Sequence, residues 1–147
     1  MMKSKTLPIA AIFLALGAGC RPKASPDQAM RDTLSKAATA LEAGDAGGAT
    51  AILDDRYQGP EGMNKAATQL YLAQVLKQGK VGVRILDQDI GINGDDAFEK
   101  IHVLLTQQGS GLLPDGSKKV YILHWTRHGS DWRVVDIQDF TDRPEGN

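Results

Sequence analysis

The 147-residue chain has a single cysteine, Cys20, and none in the 127 residues that follow it. No disulfide can close within the chain, and no cysteine-built zinc site is available. Neither sign of charge dominates: 17 Lys and Arg stand against 18 Asp and Glu, a net of −1. That balance excludes a global basic field for nucleic acid or anionic lipid, and Lys118-Lys119 is too small a patch to restore one. Internal repeats and low-complexity tracts are missing. So are a dinucleotide fingerprint, a phosphate-binding glycine loop and a His-Glu-x-x-His pair, and Gly109-Ser110-Gly111 lacks the spacing of a nucleophile elbow. No apolar run approaches the ~20 residues of a membrane-spanning helix.

What is present is the composition of one ordinary folded domain. Hydrophobic residues make up 41% and charged residues 24%, enough for a single core without staples. The amino terminus is different. Met1 to Thr6 is short and positive, and Leu7 to Leu16 is an uncharged apolar run of signal-peptide length. Gly17, Ala18 and Gly19 follow, small residues that a peptidase can grip in an extended chain. Loss of residues 1–19 with Lys3 and Lys5 would take the net charge from −1 to about −3, a slight acidity that favours solubility.

Leu16-Gly17-Ala18-Gly19-Cys20 resembles the lipobox of bacterial lipoproteins. It departs from the strongest form in having Gly17, not a branched aliphatic residue, three positions before the cysteine. The resemblance implies cleavage after Gly19, a diacylglyceryl thioether on Cys20 and acylation of the new amino group. Two or three long chains, at about 0.8 kcal/mol per buried methylene, hold far more firmly than one myristoyl group. Arg21 rather than Asp after the anchor favours, by the same analogy, the outer membrane facing the periplasm. The expected organisation is a leader over 1–19, a lipidated tether over 20–24, a domain over 25–140 and a polar tail over 141–147.

Ser25-Pro26-Asp27-Gln28 reads as a helix start, with Ser as N-cap, Pro at the first position and Gln closing a capping box. Met30, Leu34, Ala38 and Leu41 then give one helical face, ended by Gly44. Asp45 can cap a short second helix through Leu53. A third is expected from about Pro60 to Gln78, with Met63, Ala67, Leu70, Ala73 and Leu76 as its apolar stripe and Gly79 as C-cap.

The period then drops to two. Val81, Val83 and Ile85 suggest a strand, and Asn93-Gly94 marks a turn. From Ala97 to Gln107 the chain alternates again, Ala97, Glu99, Ile101, Val103 and Leu105 against Phe98, Lys100, His102 and Leu104. Gly109 to Gly116 is a loop, and Lys119–Arg127 and Trp132–Asp139 form a hairpin around Gly129. Helices first and strands after predict an α+β class, with amino-terminal helices on a mostly antiparallel four-stranded sheet.

Three stretches in this order are similar to the nuclear transport factor two-like (cystatin-like) superfamily. They are Ala40-Leu41-Glu42-Ala43-Gly44-Asp45, Asn93-Gly94-Asp95-Asp96-Ala97 and Gly129-Ser130-Asp131-Trp132-Arg133-Val134-Val135. The resemblance spans about residues 25–140. It implies a curved sheet wrapped around the helices as a cone, a fold that hosts enzymes, adaptors and small-molecule binders alike.

No side chains form a recognisable catalytic set. Asp87 and Asp89 share one side of a strand and read most simply as a polar strand end running into a turn at Gly91. Asp54-Asp55 and Asp95-Asp96 sit beside turns. His128 falls in a hairpin turn and is expected to be solvated. His102 and His124, on different strands, could meet in a cone with Asp136, but no metal or catalytic role is assigned to them. Asp136 is the polar residue to follow, because Val134, Val135 and Ile137 flank it and could desolvate its carboxyl. Trp125 and Trp132, with Tyr121, could line a pocket, although aromatic residues in strands more often cover a core.

The expected function is that of an envelope lipoprotein, membrane-attached through lipid on Cys20. Its cone would bind a small apolar ligand or a protein partner, without catalysis, cofactor or nucleic acid. The alternative is an isomerase- or hydratase-type enzyme using a buried pair of Asp136 with His102 or His124. Oligomeric state is not legible.

Overall fold

The computed structural model describes residues 24–107 and 117–142. The expected leader, Cys20, the tether up to Lys23, the loop over 109–116 and the end of the polar tail lie outside the described residues.

Helix α1 spans Pro26–Glu42, with Pro26 at its start and the Ser25 hydroxyl accepting from the Gln28 amide at 3.2 Å. The capping box is only half closed, because the Gln28 side chain donates forward to Asp32 at 2.7 Å. Met30, Leu34 and Ala37 turn inward. Helix α2, Ala46–Thr50, is shorter than expected and is capped by the Asp45 carboxylate on the Gly48 amide at 2.9 Å. It ends early because Ile52 and Leu53 leave it to meet the last strand: Val134 N donates to Ile52 O, and Asp54 N to Val134 O, each at 2.8 Å.

The third helix also starts later than the periodicity predicts. Pro60–Gly62 is a separate 3-10 turn, broken by Glu61 and Gly62 in the left-handed region at φ 59° and 74°. Asn64 then caps α3, Lys65–Gln78, by accepting from the Ala67 amide at 2.8 Å.

Four antiparallel strands follow as a meander in the order β1-β2-β3-β4: Val81–Asn93, Asp96–Gln107, Ser117–His128 and Asp131–Asp139. β1 runs much further than Ile85. Gly91 is a strand residue opposite Phe98, not a turn, and Leu86 is the extra residue of a bulge. The β1–β2 and β3–β4 turns each place a glycine at positive φ, Gly94 at 63° and Gly129 at 62°, as tight two-residue hairpins require. The register puts both turns at one end of the sheet, where the Asp95 carbonyl accepts from the Arg127 amide at 2.8 Å.

The period of two sorts the strands onto two faces. Ala97, Glu99, Ile101 and Val103 of β2, with Leu123 and Trp125 of β3 and Trp132 and Val134 of β4, face the helices and are buried. Met30, Leu34 and Ala37 of α1 and Leu53 and Tyr57 of the α2–α3 connection close the core from the other side. That connection also covers the free edge of β4, where Gln58 N donates to Val135 O at 3.2 Å.

Candidate functional site

The most unusual group in the core is an acid. Glu99 has no exposed surface. Trp125 Nε1 donates to its Oε2 at 3.0 Å, and Gln88 Nε2 donates to its Oε1 at 2.9 Å. The Gln88 carbonyl oxygen accepts from Arg31 Nη1 on α1 at 3.1 Å, and Arg31 Nε donates to Asp27 at 2.8 Å. A chain of side chains thus runs from the helix surface into the core. Burial pushes the Glu99 carboxyl above the usual carboxylate range, against the pull of the Trp125 and Gln88 hydrogen bonds and the Arg31 charge. Sequence reasoning did not single Glu99 out. The signal was available, because it is the one acid in the inward half of the β2 alternation.

The outer face of the sheet gathers the expected polar candidates. His124 and Asp136 are direct cross-strand partners, brought opposite each other by a bulge at Val135. Asp136 is half-buried and accepts from Gln138 Nε2 at 3.0 Å. His124 stacks on Phe98, with ring centroids 4.5 Å apart, and its Nε2 lies 3.0 Å from Asp96 Oδ1. His102 shares this face one strand away, opposite Asp87 and Val120. Asp89 stands opposite Lys100 on the same side. Asp136 and His124 are thus strand neighbours on the face away from the helices, each hydrogen-bonded to another side chain, and not a pair buried between helices and sheet.

Trp125 and Trp132 both face inward. Trp125 is fully buried and committed to Glu99. Trp132 is 5% exposed and lies under the Arg127 guanidinium, 5.8 Å from its ring centroid. It lines a surface cleft of about 420 Å³ with Ala24, Pro26, Arg127 and Ser130 at the hairpin end. Beside it lies a charged cleft of about 380 Å³ that includes Asp54, Arg56, His128 and Arg133. His128 is not simply solvated there, because its Nε2 sits 2.5 Å from Asp54 Oδ2. Burial alone would raise the Asp54 carboxyl, but hydrogen bonds from the Arg56 amide, the Arg56 side chain and His128 overcome it and bring the pKa down to about 2. Among the described residues, no three His, Cys, Asp or Glu side chains converge as a metal site.

The third feature is α3. Although its sequence carries an apolar stripe, none of its residues is buried. Leu70 is 70% exposed and Tyr71 53%. The carboxy-terminal part of α3 lies by the end of the sheet opposite the two hairpin turns, where Gln107 Nε2 donates to Val75 O at 3.2 Å.

No family model matches the chain, and no curated protein sequence matches it. Solved structures do share its architecture. Bd1075 of Bdellovibrio bacteriovorus aligns over 78% of this chain with a TM-score of 0.67 at 12% identity, and the chain spans only 41% of that protein. An NTF2-like protein of Cytophaga hutchinsonii aligns over 80% of this chain and 99% of its own length, with a TM-score of 0.67 at 16% identity. A protein of Novosphingobium aromaticivorans, provisionally named a scytalone dehydratase, aligns over 77% of this chain and 83% of its own, with a TM-score of 0.66 at 11% identity. Identities this low establish a shared fold: helices packed on a curved, four-stranded antiparallel sheet of the NTF2-like, cystatin-like kind, as expected from the sequence.

Proposed function

We propose that the chain is a lipid-anchored protein of a bacterial envelope whose domain is a non-catalytic module that docks a partner protein through α3. The observation that carries this reading is the exposure of Leu70 and Tyr71, at 70% and 53%, on a helix with no buried residue. Ala67, Ala73 and Leu76 of its stripe are partly covered, and Leu70 and Tyr71 stand out from them into solvent; large apolar side chains left in water mark a place for another surface. The interior argues in the same direction. Trp125, Met30, Leu123, Glu99 and Val134 fill the space between helices and sheet without solvent contact, so the positions that would cradle a small ligand are taken by side chains. The Glu99 carboxyl, the best acid–base candidate by burial, is closed to substrate for the same reason.

The anchor sets the orientation. Four residue steps separate Cys20 from Ala24, a reach of at most about 14 Å. Ala24 and Pro26 stand beside Ser130 of the β3–β4 turn, so a lipid on Cys20 would hold the hairpin end toward the membrane. The carboxy-terminal part of α3, by the opposite strand ends, points away from it.

Two measurements test the two halves separately. Cys20→Ser in the full chain is expected to move the protein from the membrane fraction to the soluble one; a variant that still sediments with membranes removes the anchor. A photo-crosslinking residue at position 70 of the native protein is expected to trap one defined partner, while the same probe at Lys118, exposed on β3, traps none. Equal labelling at both positions, or none at 70, overturns the docking reading.

A further inference from the structure

The chain of hydrogen bonds through Glu99 has a fixed polarity, and both of its ends are obligate donors. Arg31 has no acceptor atom, so the oxygen of the Gln88 amide must face it and the amide NH₂ must face Glu99. Trp125 has only an N–H to offer the other carboxyl oxygen. Every partner of Glu99 in this arrangement therefore donates, and a proton on the carboxyl would add a donor that neither partner, as oriented, can accept. The same site has no water contact, which opposes the charge. The two requirements pull the group in opposite directions, and the groups that bear on it belong to three elements: Asp27 and Arg31 on α1, Gln88 on β1 and Trp125 on β3.

We propose that Arg31, Gln88 and Glu99 form a proton-operated latch between helix α1 and the sheet, closed when the carboxyl is ionised and open when it is protonated. The proton comes from bulk water and adds to one carboxyl oxygen, which then becomes a donor. On Oε2 that hydrogen would confront the Trp125 N–H, which cannot accept. On Oε1 it confronts the Gln88 amide, which can rotate. Rotation turns the Gln88 oxygen toward the new O–H and the NH₂ toward Arg31. Two donors then face each other, and Arg31 loses its hold on the sheet, keeping only Asp27 on its own helix. A charge change in the core is thereby carried to the face of α1 as a reversal of hydrogen-bond direction.

The experiment is hydrogen exchange of the α1 amides in the full chain from pH 4 to 8, corrected for intrinsic rates. It is run beside Trp125 fluorescence in a Trp132→Phe background. The wild type is expected to exchange Met30–Leu34 about tenfold faster in the acid form, the loss of roughly one hydrogen bond. The change should share its midpoint with the Trp125 signal. Glu99→Gln, which carries a donor and an acceptor like the protonated acid, should show the fast exchange already at neutral pH. Arg31→Leu, a half-exposed position that keeps the fold if Glu99→Gln does not, should exchange fast at every pH while Trp125 still titrates. The latch is overturned if α1 exchange stays level while Trp125 titrates, if Glu99→Gln retains wild-type protection, or if Arg31→Leu retains the pH step.

Discussion

The indole N–H of Trp125 on β3 donates to Glu99 Oε2 on β2 at 3.0 Å, with both side chains sealed from solvent. An inward carboxylate in an apolar core is tolerable only while its oxygens are occupied. Trp125→Phe keeps an aromatic ring and deletes the donor. The expected cost is about 1–3 kcal/mol of unfolding free energy at neutral pH, from the oxygen left unpaired and the smaller ring. Urea unfolding of the two proteins measures it. The pH dependence of the loss has a definite sign. Burial already holds the folded Glu99 value above the unfolded one. As pH rises from the unfolded value to the folded one, the unfolded chain gives up its proton first and stability falls. Trp125→Phe raises the folded value further, so its deficit should grow as pH rises from the parent's folded value to the variant's own and level off above that. A deficit that does not vary between pH 4 and 8 would contradict the assignment.

Asp54 makes the opposite contribution. Its carboxylate takes hydrogen bonds from the Arg56 amide and the His128 ring, and its pKa falls from 3.8 to about 2. A depressed carboxylate adds stability above its unfolded value and loses it as pH drops toward the folded one. The stabilisation is on the order of 2 kcal/mol, discounted for the exposed Arg56 partner. Asp54→Asn should therefore be less stable than the parent at neutral pH, and the difference should vanish between about pH 4 and pH 2. Thermal melts of both proteins across that range give the comparison.

Gly59 tests packing in the connection that covers β4. A Cβ there would run into the Tyr57 phenol ring, itself 3% exposed and held in the core. Gly→Ala normally gains about 0.4–1 kcal/mol by restricting the unfolded chain. Here overpacking should reverse the sign and cost about 1–3 kcal/mol. Gly91→Ala is the control, because a Cβ at that strand position meets nothing within 4 Å. If both variants melt alike, Tyr57 is free to move and the connection is looser than the packing implies.

The parts of the fold that rest on local pattern were legible. The Ser25 and Asp45 caps, the turns at Gly94 and Gly129 and the alternation of β2 are where the residues require them. What failed depends on partners distant in sequence. The pattern Pro60–Gln78 showed an apolar stripe, but not that Glu61 and Gly62 would break the helix or that the stripe would be only partly covered, with Leu70 left exposed. Gly91 resembled a turn because nothing local reveals that β1 continues to pair with Phe98. Asp136 was noticed for its apolar neighbours, yet the bulge at Val135 sets its face, and that bulge depends on register with β3. Glu99 lay in plain view within an inward row. Its weight appears only once Gln88, Arg31 and Trp125, from three other elements, arrive around it.

Leu70 separates a role in folding from a role in recognition. At 70% exposure its side chain has little to lose in the folded monomer, and Leu and Glu have similar helix propensity. Leu70→Glu should therefore leave unfolding free energy within about 0.5 kcal/mol of the parent. A partner that seats on this face meets instead a charge it must strip of water. Complexes centred on such an apolar anchor lose about 2 kcal/mol or more, a fall in affinity of some thirtyfold. Crosslinking from a neighbouring probe at Gln74, which is exposed on the same helix, should fade in proportion. Unfolding at lower denaturant would instead place Leu70 among the residues that hold the domain together, and α3 would then be an ordinary packing helix with nothing left over for a partner.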